Sequence, residues 1–300
     1  MVELLERLTS LEGMRPTTLD AVKLLRVNRS CSRIPVLYEP CIVIVAQGRK
    51  RGYLGDQTFT YDAHNYLVLT VPLPFECETQ VDTDGPFLGL TIRIELSVLS
   101  ELMMQMETRT CPTHVDGREP SVSATPLNAM LSDATVRLLE SLSSPADAKV
   151  LGPQIVREIT YRVLCGRRGG ALQALLLVDG TRAQILHILH RIHSDYVCSL
   201  DVADLADEAG MSVSALHHHF KEVTATSPLR YLKTIRLHKA RMLMVQEGMG
   251  ASIAAERVGY ESPSQFSREF KRLFGAPPVD ETQRVRAMFG AKQSPTAQVG

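Results

Sequence analysis

Two short stretches, displaced from each other by 50 positions, carry side chains suited to reading a nucleic acid. The first, from Ser212, reads SVSALHHHFKEVTATSP, and the second, from Ser262, reads SPSQFSREFKRLFGAPP. Wound as helices, they place Ser214, His217, His218 and Lys221 on one side of the first, and Ser264, Ser267, Arg268 and Lys271 on one side of the second, with Gln265 at its edge. Arg pairs bidentately with guanine and Gln with adenine, while Ser, His and Lys reach base edges or phosphates. The opposite sides are apolar at i, i+4 and i+7: Leu216, Phe220 and Val223 in one copy, Phe266, Phe270 and Leu273 in the other. That is the stripe of a half-buried helix.

The residues before each stretch supply the rest of a positioning element. VADLADEAGMS and SIAAERVGYES each read as a short Ala-rich helix ending at a glycine, Gly210 or Gly259, that can turn left-handed before the serine cap. Each copy is thus a helix-turn-helix, and a long helix from Leu229 to about Gln246 joins the two. Its Leu232, Ile235, Leu237, Leu243 and Met244 are expected to pack against both copies. From Lys221 to Arg241 six basic residues face one acid, Glu222, which predicts a strip attracting phosphates. His217, His218 and His219 point about 100° apart on a helix and do not chelate together, so no metal is expected. His187, His190 and His193 read as a polar flank on the helix Arg182 to Tyr196.

Overall charge hides this asymmetry. The 300 residues hold 33 basic and 33 acidic side chains. Residues 1–180 hold 18 and 21, and residues 181–300 hold 15 and 12, so an acidic half precedes a basic one. No apolar run reaches the roughly 18 residues a membrane span needs. The start, MVELLERLTSLEG, lacks the basic and apolar regions of a secretory signal, which points to the cytoplasm and no membrane. The six cysteines form no C-x-x-C pair. They read as buried or idle thiols, or, at Cys41 and Cys77, as a sensor of redox state or electrophiles.

Before residue 180 the pattern is strand-rich. RIPVLY, CIVIVAQG, a hairpin turning at Gly55-Asp56, and the alternation of Leu90, Ile92 and Ile94 against Thr91, Arg93 and Glu95 suggest a small barrel or sandwich. Helices are expected over Val2–Leu11, Leu19–Arg26, Val98–Met106, Leu127–Leu142 and Gln154–Leu164. The helices that follow the strands pack on their own barrel or pair with a second subunit. Arg93 and His64 are candidate effector contacts, with Cys41 and Cys77 beside them; an outer salt bridge with Glu95 is the other reading of Arg93. GDQTFTYDAHNYLVL holds a single histidine where metal-dependent cupins need an H-x-H cluster and a Glu. No phosphate loop, nucleophile elbow or H-E-x-x-H occurs. No catalytic residue and no cofactor is therefore assigned.

The stretches LADEAGMSVSALHHHFKEVTATSPLRYLKTIRLHKARMLM and AAERVGYESPSQFSREFKRLFGAPP resemble the signature of the AraC/XylS family of bacterial transcription regulators. Upstream, PCIVIVAQGRKR, REITYRVLCG and RIHSDY resemble the sensing domain of one branch of that family. The resemblance implies an α+β two-domain chain: a cupin-like β-barrel with flanking helices over 1–178, an all-α DNA-binding domain over 179–290, and a disordered tail over 291–300. It places base contacts on Ser214, His217, His218, Ser264, Ser267 and Arg268. Ala225 departs from the family's usual glycine at that position. The implied partners are double-stranded DNA, RNA polymerase, a small-molecule effector and a second copy bound through the N-terminal domain. The segment Cys165–Asp179 is expected to link the two domains. Two rivals to an effector-responsive regulator are a regulator whose barrel only dimerises or binds a partner, and a cupin enzyme fused to a DNA-binding domain.

Overall fold

Alternation along single strands decides how the N-terminal half is built. In a strand, successive side chains point to opposite faces. Ile42 and Ile44 join one apolar cluster while Cys41, Val43 and Val45 join another. The run CIVIV is thus continuous because both its faces are buried. Each such aliphatic side chain removed from water contributes about 1.5–3 kcal/mol.

The computed structural model describes residues 1–82, 85–106, 120–167, 169–176 and 180–289. The expected tail, Cys111, and the expected divide at 178/179 lie outside the described residues. After helix α1 (Val2–Leu8) come strands β1 (Gly13–Pro16), β2 (Val22–Val27), β3 (Cys31–Tyr38), β4 (Cys41–Gln47), β5 (Arg49–Leu54), β6 (Gln57–Asp62), β7 (Asn65–Leu69), β8 (Leu73–Gln80) and β9 (Phe87–Arg93). Helix α2 (Leu96–Gln105), strand β10 (Val122–Pro126) and helices α3 (Ala129–Ser141), α4 (Pro145–Val150), α5 (Gly152–Leu164) and α6 (Gly169–Gln173) complete this half. The strands form one antiparallel sheet in the order β1-β2-β9-β4-β7-β6-β5-β8-β3, with β10 on β7. The sheet curls into a half-barrel. Its outer face, through Leu24, Ile42, Val68, Leu90 and Ile92, packs on residues of α1, α2, α3 and α5.

Two expectations are corrected here. Leu19–Arg26 was expected as a helix, but VKLLRV is strand β2, paired with both β1 and β9. Its alternation, with Leu24 in the outer cluster and Leu25 in the inner one, satisfies two faces, which a one-sided helix cannot. The expected linker is partly helix α6, whose Gly169 to Gln173 are all buried.

The C-terminal half is helical: α7 (Thr181–Ser194), α8 (Val202–Glu208), α9 (Val213–Thr224), α10 (Pro228–Glu247), α11 (Ala251–Arg257), α12 (Pro263–Phe274) and α13 (Pro278–Phe289). Tyr231, Leu232 and Ile235 of α10 join the first repeat unit, and Leu237, Ala240 and Met244 join the second. The first unit's core is continuous with the half-barrel interior, whereas the second has its own.

The repeat extends to its caps. Both α9 and α12 end in a left-handed residue, Ala225 at φ 58° and Gly275 at φ 80°. Pro228 and Pro278 then start the next helices. A side chain in this region costs about 1–2 kcal/mol, and Ala225 bears that cost where its counterpart does not. Ala225→Gly should raise stability by about 0.5 kcal/mol, the relief of strain being partly offset by a freer unfolded chain. Gly275→Ala, whose added carbon meets open space, should lower it by a similar amount, about 0.5–1 kcal/mol. Urea midpoints at unchanged slope measure both; shifts of the same sign would contradict the assignment.

Candidate nucleic-acid interface

Each reading helix is capped and anchored in the same way. Ser212 Oγ accepts from the Ala215 amide at 3.2 Å, and Ser262 Oγ from the Gln265 amide at 3.3 Å. Leu216 and Phe220 in α9, and Phe266, Phe270 and Phe274 in α12, are buried. The phenylalanines of α12 pack in sequence with tilted rings, centroids 5.4 Å and 4.5 Å apart. With one stripe fixed in the core, the other faces outward. Ser214, His217, His218 and Lys221 are all exposed on α9, and Ser264, Gln265, Ser267, Arg268 and Lys271 are all exposed on α12.

Electrostatics near these helices differ from the sequence expectation. Half of the basic strip from Lys221 to Arg241 is drawn partly inward: Arg236, Lys239 and Arg241 are half-buried. Arg236 donates to the carbonyls of Tyr196 at 2.6 Å, Cys198 at 2.8 Å and Gly259 at 3.1 Å, tying the two repeat units together. Arg241 pairs with buried Glu281 at 3.2 Å, donates to the Pro35 carbonyl at 3.3 Å and lies 4.3 Å over the Phe274 ring. Lys233 pairs with Glu269 at 3.0 Å. The reason is that α10 is flanked by both units, so long side chains on its flanks meet helix-end carbonyls. Lys221, Arg230 and Lys233 stay exposed. Glu269 also accepts from Tyr260 at 2.8 Å and Gln265 at 3.2 Å. Partial burial pulls its carboxyl upward, but the bonds from Tyr260, Lys233 and Gln265 outweigh this and hold it below its ordinary range.

The half-barrel meets this domain directly. Tyr231 Oη donates to the Pro72 carbonyl at 2.6 Å and lies 2.8 Å from His193 Nε2. A cavity of about 970 Å³ runs from the half-barrel interior to Arg241 and Arg284 of the helical domain. Lys50 of β5 lines it, buried to 7% exposure. Its ammonium sits 5.3 Å over the Phe87 ring, and among the described residues no carboxylate pairs with it. Burial pulls its pKa down.

The four expected effector contacts separate in space. Cys41 and Arg93 line the cavity. Arg93 is half exposed at 52% and bonds Glu95 at 3.2 Å. His64 is exposed on the β6–β7 turn, held by Asp62 through its backbone, and lies outside the cavity. Cys77 is buried with its thiol 3.4 Å from Tyr61 Oη, and does not line the cavity. Burial pushes the Cys41 thiol up to about 12 and raises Cys77 as well, which disfavours the reactive thiolate a redox sensor needs. Lys50 was missed, although the alternation of KRGYLG puts Lys50, Gly52 and Leu54 on one face of β5.

A half-barrel joined to two tandem helix-turn-helix units is the build of a DNA-binding regulator. The comparisons agree. Residues 18–171 match the family model of the AraC-type transcriptional regulator N-terminus, and residues 205–284 match a helix-turn-helix domain. The first match spans more than half of the chain, which belongs to the AraC-type transcriptional regulators. The RCS-specific activator RclR of Escherichia coli K12 is 37% identical over 87 residues, 29% of this chain and 31% of that protein. The activator RhaS of Escherichia coli is 27% identical over 173 residues, 57% of this chain and 61% of that protein. The chain thus spans less than two thirds of the length of either relative. The fold is similar to ToxT of Vibrio cholerae with an unsaturated fatty acid bound: TM-score 0.63, 13% identity, 91% of this chain and 97% of that one. It is also similar to ToxT bound to (E)-4-(8-methylnaphthalen-1-yl)but-3-enoic acid: TM-score 0.57, 11% identity, 87% and 97%. No helix among the described residues is long and apolar enough to cross a membrane.

His193 shows what the helical-wheel reading could not. Expected as a polar flank, it is largely enclosed beside Tyr231. Burial, then repulsion from Lys239 and His190, pushes it down to about 4. Burial and Arg241 likewise push His238 well below its ordinary value. The unfolded chain binds these protons near pH 6.5 and the folded one does not, so stability is complete above that value and falls as pH drops toward 4. For His193 alone the loss is on the order of 2–3 kcal/mol. Urea unfolding across this window measures it. His193→Gln should flatten the slope, and an unchanged slope would remove His193 from the account.

Proposed function

We propose that this regulator reads DNA with α9 and α12 and responds to an organic anion held in the cavity between its domains. The carrying observation is Lys50: a buried cation facing a cavity, without an anionic partner among the described residues. An unpaired buried charge is costly, and a ligand carboxylate relieves that cost. Arg241 and Arg284 line the same cavity from the helical domain, so one ligand can touch both halves. The two acids bound to ToxT are carboxylic acids with apolar bodies, and the cavity's Leu25, Val27, Ile34 and Val36 suit such a body.

In this reading residues 1–178 sense and 179–290 bind DNA. The chain acts in the cytoplasm, on promoter DNA, together with RNA polymerase, and has no catalytic role. Helices α2 to α5 and their caps expose Leu96, Met104, Met130, Val150, Leu151 and Tyr161, which supports a homodimer formed through this half. Ser214, His217, His218, Lys221, Ser264, Gln265, Ser267, Arg268 and Lys271 face the DNA. Gln265 already bonds Glu269, so Arg268 is the stronger base reader of α12. Arg268→Ala should cost about 1–3 kcal/mol at the preferred site and relax base choice in one half of it. An equal loss on all sequences, measured by competition with varied duplexes, would make Arg268 a phosphate contact.

Oleate tests the effector reading, with oleyl alcohol as the uncharged control. At a hundredfold excess over Kd, oleate should stabilise the chain by about 2.7 kcal/mol, raising Tm by about 5–10 °C and changing operator affinity. Lys50→Met should keep the apo Tm or raise it and lose the oleate shift. Equal shifts from the alcohol, or in Lys50→Met, would remove Lys50 as the carboxylate's partner, and no shift from oleate would leave the half-barrel as a dimerisation module.

A further inference from the structure

The first reading helix carries a cluster of which DNA contact uses only His218. His219 Nδ1 lies 2.8 Å from Glu222 Oε2, and His218 Nε2 lies 3.5 Å from Glu222 Oε1. One donor atom from each of the three residues falls within 4.8 Å of the other two. The two imidazole rings stand edge to face, 5.0 Å between centroids. Bonds from a zinc-class ion to nitrogen or oxygen are about 2.0–2.2 Å, so two donors on one ion lie at most about 4.4 Å apart. Both His–Glu pairs already fall within that span. The third pair, His218 with His219, lies within 4.8 Å, at most a few tenths of an ångström beyond that span, and His218 is exposed. Consecutive histidines alone splay apart, but Glu222 sits one turn further on, at i+4 from His218 and i+3 from His219, and reaches both.

We propose that His218, His219 and Glu222 form a divalent-cation site of the zinc class, and that metal bound there strengthens DNA binding. The proposal rests on DNA binding by the helix-turn-helix domain and not on the effector reading. Two neutral imidazoles and a carboxylate are a donor set such ions take, and three protein ligands leave a fourth position open. With neutral histidines the cluster carries one negative charge, on the helix that must approach phosphates. A bound dication turns it to one positive charge. The open position then faces outward, where a phosphate oxygen can fill it. The added attraction is independent of base sequence, and salt weakens it. Because His218 is drawn onto the metal, the gain in affinity comes with a loss of base reading at its position. Linkage makes the effect reciprocal: whatever factor metal adds to DNA affinity, DNA adds to metal affinity.

The test uses the full chain, stripped with chelator, and zinc chloride as the probe. Calorimetric titration with zinc alone comes first, on the wild type and on His219→Ala and Glu222→Gln. Each variant should lose one zinc equivalent, whatever other thiols or imidazoles bind, while circular dichroism shows unchanged helicity. Affinity for a random-sequence duplex is then measured with and without zinc. The wild type should tighten by about fivefold or more, with a steeper salt dependence, and both variants should show no zinc effect. Glu222→Gln should bind the duplex slightly more tightly than wild type without metal, since it removes an acid. The same zinc uptake in wild type and both variants overturns the site. A duplex affinity that zinc leaves unchanged or weakens overturns its coupling to DNA.

Discussion

Tyr231 is a buried polar point at which the two halves are fixed to one another. Its ring is wholly enclosed, edge-on to Phe220 at 5.4 Å and to His193 at 5.8 Å. A phenol has one hydrogen, and the 2.6 Å bond to the Pro72 carbonyl uses it. The 2.8 Å contact with His193 is therefore donated by the imidazole Nε2–H. A directed chain runs from α7, through α10, to the residue before β8. Leaving such a hydroxyl buried without a partner costs about 1–3 kcal/mol, so the docked arrangement is specified by a satisfied polar contact as well as by apolar area. Protonating His193 does not remove its donor; it places a charge where water is scarce, which is why the ring stays neutral.

The other elements follow from being used on two faces. Strands β2, β4, β7 and β9 alternate between the half-barrel interior and the helices outside it, and α10 divides its apolar residues between the two repeat units. An element buried on both sides has little surface left for charges, so the basic side chains of α10 serve as ties. Arg236 gathers carbonyls from the α7–α8 connection and the second helix-turn-helix. Arg286 does the same at the end of α10, donating to Val245 at 3.1 Å and Met244 at 2.6 Å. The exposed basic side chains of this stretch are therefore Lys221, Arg230 and Lys233, the last paired with Glu269, a smaller set than the charge count between Lys221 and Arg241 suggests.

What could be read from the sequence was what depends on neighbours a few residues away. The repeat was legible because Leu216 and Phe266, or Phe220 and Phe270, answer the same local demand of a helix with one buried stripe, and because Ser212 and Ser262 cap within three residues. The exposed reading faces followed from those stripes. Contacts across long stretches of chain were not legible. Tyr231 meets Pro72 across 159 positions and Arg241 meets Pro35 across 206. Nothing in the local pattern marks His193 as enclosed, or Arg241 as a structural tie, because each takes its character from a partner in another element. Leu19–Arg26 failed for the same reason: its strand state is set by pairing with β1 and β9. Lys50 is intermediate. Its face was readable from alternation, but not that this face looks into a cavity.

In the proposed reading, Arg241 is where ligand binding and DNA reading meet. A ligand shifts an equilibrium only by binding one arrangement better than another. The Arg241 guanidinium is shared among Glu281 of α13, the Pro35 carbonyl of β3, the Phe274 ring of α12 and the cavity. A carboxylate entering beside Lys50 with an apolar body too short to reach Arg241 would bind both arrangements alike and leave DNA affinity untouched. One long enough to reach it competes with Glu281, and withdrawing Arg241 leaves a carboxylate only 1% exposed with Arg284 as its remaining counter-charge. That cost falls on the packing of α13 and α12, the elements that set the second reading helix. For the proposed effector, ligand length measured from the carboxylate is therefore the variable that separates occupancy of the cavity from control of the DNA-binding domain.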